Sequence, residues 1–319
     1  MDFEKLSKVV CGLAITSLCL FSTNFASPVL ADENNSSWVD LDNDGLVDKD
    51  LMSKEERQKY DKRVKEIESY FDKIGRTKAK LNALKRQLKA NGKDLTISNE
   101  IITIQQELDD LENNIEKNIG LKKISKQDSI TTLATAPSDI DMDGTIYLDV
   151  FNPSRYVARG DWDWITSNWQ YDRSGTGDVG KLDAFGLILD EEIDIYSHSI
   201  RTYWSYDGRE STPGAIYDDK AESDNGWGWK WQDKISYQTT SLGATVKTYN
   251  SGSGIATLYF KFENPSTGSG DTVEISTEYA HTWNTTNVDN ISFSLTDISF
   301  SYSSSSSRWS DEENWPIQL

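Results

Sequence analysis

The chain has 319 residues, of which 52 are acidic and 33 basic, for a formal net charge of −19. Such a balance repels phosphate backbones and anionic lipid surfaces, which sets nucleic acid aside as a partner. The two cysteines, Cys11 and Cys19, both lie in an N-terminal apolar run. Removal of that run leaves no thiol for a disulfide, a zinc–thiolate site or thiol catalysis.

Residues 1–31 read as a secretory signal peptide. Lys5 and Lys8 form a short basic region, Val9 to Phe21 is mostly apolar, and Val29-Leu30-Ala31 places small residues at the cleavage positions. The apolar run falls short of the roughly 20 residues that a membrane-spanning helix needs. Cleavage before Asp32 predicts a secreted, cysteine-free protein, a pattern that fits a Gram-positive bacterium.

Residues 32–50 form an acidic loop segment with Asp40, Asp42, Asp44 and Asp48 around Gly45. The pattern recurs as Asp139, Asp141 and Asp143 before Gly144. Carboxylates at positions 1, 3 and 5 of a loop, with glycine at 6, can converge on one hard cation, so both copies are candidate calcium ligands. Neither has the glutamate that closes an EF-hand, since position 12 is Leu51 in one and Val150 in the other.

Residues 51–125 carry two amphipathic stripes. Tyr60, Val64, Ile67, Phe71, Ile74, Leu81 and Leu88 alternate by four and three, which predicts a helix over 53–90 that ends at Asn91-Gly92. A second stripe, Ile101, Ile104, Leu108, Leu111 and Ile115, predicts a helix from about Ser98. Together they read as an antiparallel, coiled-coil-like hairpin serving as a spacer or docking arm, or as one arm of an oligomeric coiled coil.

A linker over 126–138 leads into a β domain at 139–319. Strands are expected at 145–151, 161–171, 182–190, 193–206, 227–237, 243–250, 255–263, 272–281 and 290–303, separated by Gly-, Ser- and Asn-rich turns. With no helices between them, they predict a β-sandwich of jelly-roll type. The expected fold class is therefore α+β, a helical hairpin followed by an all-β sandwich. From Pro137 onward 29 acids face 12 bases, so the negative charge is concentrated in the β domain.

Ten of the eleven tryptophans lie in that domain. Trp227, Trp229 and Trp231 alternate and so share one face of a strand. Turned outward, with Asp224 and Asp233 beside them, they would stack on the rings of a carbohydrate or cell-wall polymer. Turned inward, they would be core. Within Asp190-Glu191-Glu192, Glu191 or Glu192 set against Asp161 or Asp163 admits a glycan hydrolase, although adjacent acids at a strand end more often form a solvated turn. His281 alternates with aromatic residues and reads as a packed strand residue.

The stretch 290–303 sets Ile291, Phe293 and Leu295, then Ile298, Phe300 and Tyr302, against serine and threonine, with a slip at Asp297 read as a β-bulge. Membrane-inserting hairpins of pore-forming proteins are patterned in the same way. A Ser-rich tract follows, and no strand is expected after it. The sequence thus predicts a secreted binding protein, non-catalytic and calcium-stabilised, with a glycan hydrolase and a pore-forming or bacteriocin-like protein as the alternatives.

Overall fold

Two antiparallel sheets, one helical layer and one outlying hairpin stack on each other, and each layer is written in the alternation of the strands it covers. The computed structural model describes residues 53–126 and 139–319, apart from 93, 212–215, 218–221, 240–242, 265 and 269. The signal segment and the Asp40–Asp48 loop lie outside the described residues. All described residues belong to one compact unit, Trp38–Leu319.

The helices are α1 (Lys54–Asn91), α2 (Leu95–Asn113) and the short α3 (Ile115–Ile119). α2 begins earlier than its apolar stripe, because the Asp94 side chain accepts hydrogen bonds from the Thr96 and Ile97 amides at 2.8 and 3.1 Å and caps the helix there. The two long helices run antiparallel, with Lys80 paired to Glu100 at 2.9 Å and the Tyr70 hydroxyl donating to the Leu111 carbonyl at 2.8 Å.

The first sheet is ordered β1-β2-β3-β11-β5-β6, comprising β1 (Leu121–Lys123), β2 (Ile140–Asp149), β3 (Tyr156–Trp164), β5 (Ile193–Tyr203), β6 (Glu210–Ser211) and β11 (Ser253–Phe262). The second is ordered β10-β9-β4-β12-β15, comprising β4 (Gly177–Leu189), β9 (Gly226–Thr239), β10 (Thr245–Tyr249), β12 (Thr272–Thr282) and β15 (Arg308–Gln318). Two short strands, β7 (Ile216–Tyr217) and β8 (Glu222–Ser223), also pair with β9. A hairpin of β13 (Val288–Phe293) and β14 (Ile298–Tyr302) completes the set.

Alternation decides what each layer touches. Ile140, Met142, Ile146, Trp162 and Leu258 point between the sheets and meet Phe185, Leu187, Trp229, Ile275 and Tyr279. On the other face of the first sheet Tyr147, Val157, Tyr203, Ile255 and Tyr259 meet Ile67, Phe71 and Ile74 of α1. The stripe that read as a coiled-coil seam therefore packs on the sheet through Ile67, Phe71 and Ile74, while Leu81 meets Ile104 of α2. Gly75 lies within the sheet contact, where an added Cβ would sit 2.4 Å from the Tyr203 ring.

Charged groups cross the same boundary. Lys78 reaches Asp163 at 2.8 Å and Asp161 at 3.3 Å, Arg159 reaches Glu112 at 2.9 Å, and Glu68 accepts from the Tyr259 and Ser199 hydroxyls at 2.6 and 2.7 Å.

Four expectations are corrected. Asp139–Gly144 does not fold as a loop, because Ile140–Asp149 is one strand paired with β3. Its apolar partners, Ile140 and Met142, are drawn into the core, which extends the backbone and leaves Asp139 and Asp143 roughly 13 Å apart along the strand. Asp143 pairs instead with Lys126, and Asp139 accepts from Thr166 and Asn168 at 2.7 Å each. The strand expected over 161–171 ends at Trp164, and Asn168–Tyr171 is a 3-10 turn. The stretch 290–303 is a hairpin whose reversal lies at the slip, and the C-terminal residues form β15, a full strand.

β12 and β15 bring carboxyl groups together at the edge of the second sheet. Burial, and then the charges of Glu312, Asp297 and Asp311, push Glu278 up to about 8 against a hydrogen bond from Ser310. Burial and neighbouring acids likewise raise Asp311 to about 6 and Glu313 to about 7. Each binds its proton more tightly in the folded chain, so its contribution is whole below about pH 4 and is lost as pH rises through 6, 7 and 8. The melting temperature is expected to fall by several degrees between pH 5 and pH 8.5, and Glu278→Gln to flatten most of that slope in thermal scans across pH.

Candidate functional site

Three strands of the second sheet each place a polar residue in the apolar phase. On β4, Asp183 precedes the inward Phe185, Leu187 and Leu189. On β9, Asp233 follows Trp229 and Trp231. On β12, His281 follows Ile275 and Tyr279. The strands are neighbours, so the three groups meet between the sheets, and all are 0–1% exposed.

Asp183 is the hub. Its Oδ2 accepts from the Tyr279 hydroxyl at 2.9 Å and the Tyr249 hydroxyl at 3.1 Å, and lies 2.9 Å from His281 Nδ1. Its Oδ1 accepts from the Thr282 amide at 2.9 Å. The Tyr249 hydroxyl also lies 2.7 Å from Asp233 Oδ2. The other imidazole nitrogen, Nε2, is 3.1 Å from Asp172, on the turn that follows β3.

Burial alone would favour a neutral imidazole, but the Asp183 charge and the hydrogen bonds to Asp172 and Asp183 outweigh it and hold His281 well above its usual range. Burial, followed by the like charge of Asp183, pushes Asp233 well up. Both shifts favour a charged imidazole beside Asp183 and a proton on Asp233. One atom each from Asp183, Asp233 and His281 lies within 4.8 Å of the others, the spacing of a metal-ligand set, which would take an ion only once His281 and Asp233 gave up their protons.

Aromatic rings surround it. Trp164 meets His281 edge-on at 5.1 Å and Trp309 at 5.4 Å, while Trp169 stacks on Tyr249 at 5.4 Å. Trp283 stacks on the outer side of His281 at 5.8 Å. Trp283 and Trp309 are only half-buried, and Tyr171, beside Asp172, is 87% exposed. Trp164, Trp309 and Trp283 thus form an aromatic cluster around His281 that reaches from the core to half-buried rings.

The sequence-predicted platform is corrected. Trp229 and Trp231 face inward and are sealed in the core, with the Trp231 indole donating to Ser251 at 2.8 Å, so neither offers a face to a sugar ring. Trp227 is half-buried and stacks on His198 across the sheets at 3.9 Å. Asp224 is exposed in the turn before β9, whereas Asp233 lies in the buried cluster, so the two acids do not flank one surface. Asp183 was not singled out from sequence, although a charge in the inward phase of an apolar strand was a visible signal for it.

No protein-family model and no curated protein matches this sequence. Solved structures give distant likenesses. One is the T6 backbone pilin of serotype M6 Streptococcus pyogenes, at 9% identity and TM-score 0.29, over 61% of this chain and 42% of that one. This chain thus spans less than half of that pilin's length. Another comes from work on adhesion by Fap1 fimbriae of Streptococcus parasanguinis, at 8% identity and TM-score 0.27, over 62% and 89%. A third is AvmM, which catalyses macrocyclization in alchivemycin A biosynthesis, at 11% identity and TM-score 0.20, over 56% and 94%. All three scores are below 0.5, and the function is argued from this chain's own residues.

Asp183→Asn removes the counter-charge of a buried imidazolium and is expected to cost roughly 3–5 kcal/mol. Trp229→Ala opens a core cavity at a similar cost of about 3–5 kcal/mol. At about 2–4 °C per kcal/mol for a domain of this size, calorimetry should show losses near 10 °C for each.

Proposed function

We propose that the chain is a secreted, non-catalytic binding protein that engages a carbohydrate or cell-wall polymer at the aromatic end of its sandwich. The observation that carries this reading is the cluster of Trp164, Trp309 and Trp283 around His281, whose outer rings are half-buried, with the exposed Tyr171 next to Asp172 in the chain. Planar rings stack on the C–H faces of sugars, and a neighbouring carboxylate accepts hydroxyl protons. The rings near the core are held by packing, so little side-chain freedom is lost on binding.

A non-catalytic role is supported by the way the buried cluster spends its groups. Both Asp183 oxygens and both His281 nitrogens are engaged inside the protein, whereas an acid–base catalyst must reach its substrate. Secretion and placement near the cell surface follow from the signal-like leader and the cysteine-free remainder. The calcium component rests on the spacing of Asp40, Asp42, Asp44 and Asp48.

Retention on insoluble peptidoglycan and on cell-wall polysaccharide tests the proposal. Tyr171→Ala and Trp283→Ala are expected to weaken retention by roughly 1–3 kcal/mol, or tens-fold, on the scale of aromatic stacking elsewhere. Tyr171→Ala should leave the melting temperature unchanged, since the ring is exposed. Failure of the wild type to bind any such polymer, or undiminished binding by Tyr171→Ala, would remove the reading.

A further inference from the structure

The hairpin β13–β14 lies between β12 and β15 in the chain, and those two strands pair with each other along their whole length. The stem ends with Thr282 opposite Arg308, and the hairpin begins with Val288 opposite Tyr302. Five residues separate them on either side, 283–287 and 303–307, so the stem register carries through to Val288 and Tyr302, beyond which a β-bulge between Val288 and Asn290 offsets the rest of the hairpin by one residue. The crossings already touch: the Trp283 amide donates to the Ser307 carbonyl, and the Ser303 amide to the Asn287 carbonyl, each at 3.0 Å. Residues 272–318 are therefore one long β-ribbon, bent back on itself.

The bend has a local cause. Among the described residues, two that are not glycine have a left-handed backbone, Asn284 at φ 59° and Ser307 at φ 61°. They sit on opposite crossings, one level apart. A left-handed serine is a costly conformation that tertiary contacts must hold in place.

Those contacts are confined to one face. Val288, Ile291 and Ile298, with Phe293, Phe300 and Tyr302 behind them, cover Ala184, Ile188 and Ala280 on the outside of the second sheet. The sheet is cut low to receive them. A Cβ on Gly186 would sit 2.8 Å from Ile298, and one on Gly228 would sit 2.8 Å from Ile291. The opposite face of the hairpin carries Asn290, Ser292, Ser299 and Ser301. Between Trp283 and Ser307 the charged residues are Asp289 and Asp297 alone, the latter at the tip.

We propose that residues 283–307 form a folded-back membrane-inserting hairpin, which straightens in line with β12 and β15 and enters a lipid bilayer as part of a β-barrel built from several copies of this chain. Paired residues share a face, so the straightened ribbon presents Val288, Ile291, Phe293, Ile298, Phe300 and Tyr302 on one side, with Asn284, Thr286, Ser304 and Ser306 toward its stem end, and hydroxyl and amide side chains on the other. Lipid suits the first side and a water-filled lumen the second. The arms Asn284–Phe293 and Ile298–Ser307 match the roughly 9–11 residues of a membrane-crossing strand. A single ribbon would leave its edge amides unpaired in hydrocarbon, so several copies must close a barrel. Given the chain's strong negative charge, zwitterionic lipid is the fitting target.

The test uses the secreted chain, free of Cys11 and Cys19, and phosphatidylcholine vesicles loaded with a self-quenched dye. The wild type is expected to release dye. Gly186→Cys with Ile298→Cys brings two thiols together where the hairpin meets the sheet. Oxidised, this variant should release dye at least tenfold more slowly, and dithiothreitol should restore the rate. Leu295→Asp at the tip, where Leu295 is 53% exposed, should keep the melting temperature and also slow release. No release by the wild type, or equal release by the oxidised and reduced lock, overturns the proposal.

Discussion

A carboxylate sealed between two sheets has to be compensated in full, and Asp183 sets that requirement for the second sheet. Its oxygens take the hydroxyls of Tyr249 and Tyr279, the amide of Thr282 and the imidazolium of His281, groups that arrive from β10 and β12. Asp172, on the turn after β3, holds the far nitrogen of the same imidazole and so ties that turn to the cluster. Any shift in the register of β12 against β4 would leave a charge without its partner, at a cost of several kcal/mol. Hydrophobic burial fills the space between the sheets. The Asp183 hub determines which residue stands opposite which.

The helical layer follows the same principle at a wetter boundary. Apolar contacts from Ile67, Phe71 and Ile74 seat α1 on the first sheet, and they would tolerate some sliding. Lys78 between Asp161 and Asp163, Glu68 beneath Tyr259, and Arg63 against Asp149 at 3.0 Å do not tolerate it, because each stranded acid would be a buried charge. The hairpin thereby becomes a third layer of the β unit.

Periodicity made much of this legible. The long helix, the reversal at Gly92 and most strands follow from apolar residues at three-and-four or alternate spacing. What misled was local chemistry set against tertiary context. Asp139, Asp141 and Asp143 carry a loop signature, but Ile140 and Met142 between them have alternate spacing too, and the core rewarded the strand. The inward or outward sense of Trp227, Trp229 and Trp231 depends on which face of β9 the first sheet covers, and that information resides on β3 and β11. β15 was invisible because Asp311, Glu312 and Glu313 look like a solvated tail. Their strand is specified by its partner β12, and the raised affinity of these acids for protons is the electrostatic cost of that pairing.

The surfaces that close the two sides of the second sheet differ in kind. The inner side is interlocked by indoles and phenols, with Trp162 against Trp231 and Phe185 at 5.2 and 4.8 Å. Large rings in such contact cannot separate without opening cavities that cost several kcal/mol each. The outer side beneath the hairpin is paved with Ala184, Gly186, Gly228 and Ala280, small residues that present a shallow face. Its polar ties are few, chiefly the Asn225 amide to the Ser294 and Leu295 carbonyls and the Lys230 ammonium to the Asp289 carbonyl. The sandwich would keep its interlocked core with the hairpin lifted away. Contacts are therefore densest between the sheets and thinnest beneath the hairpin.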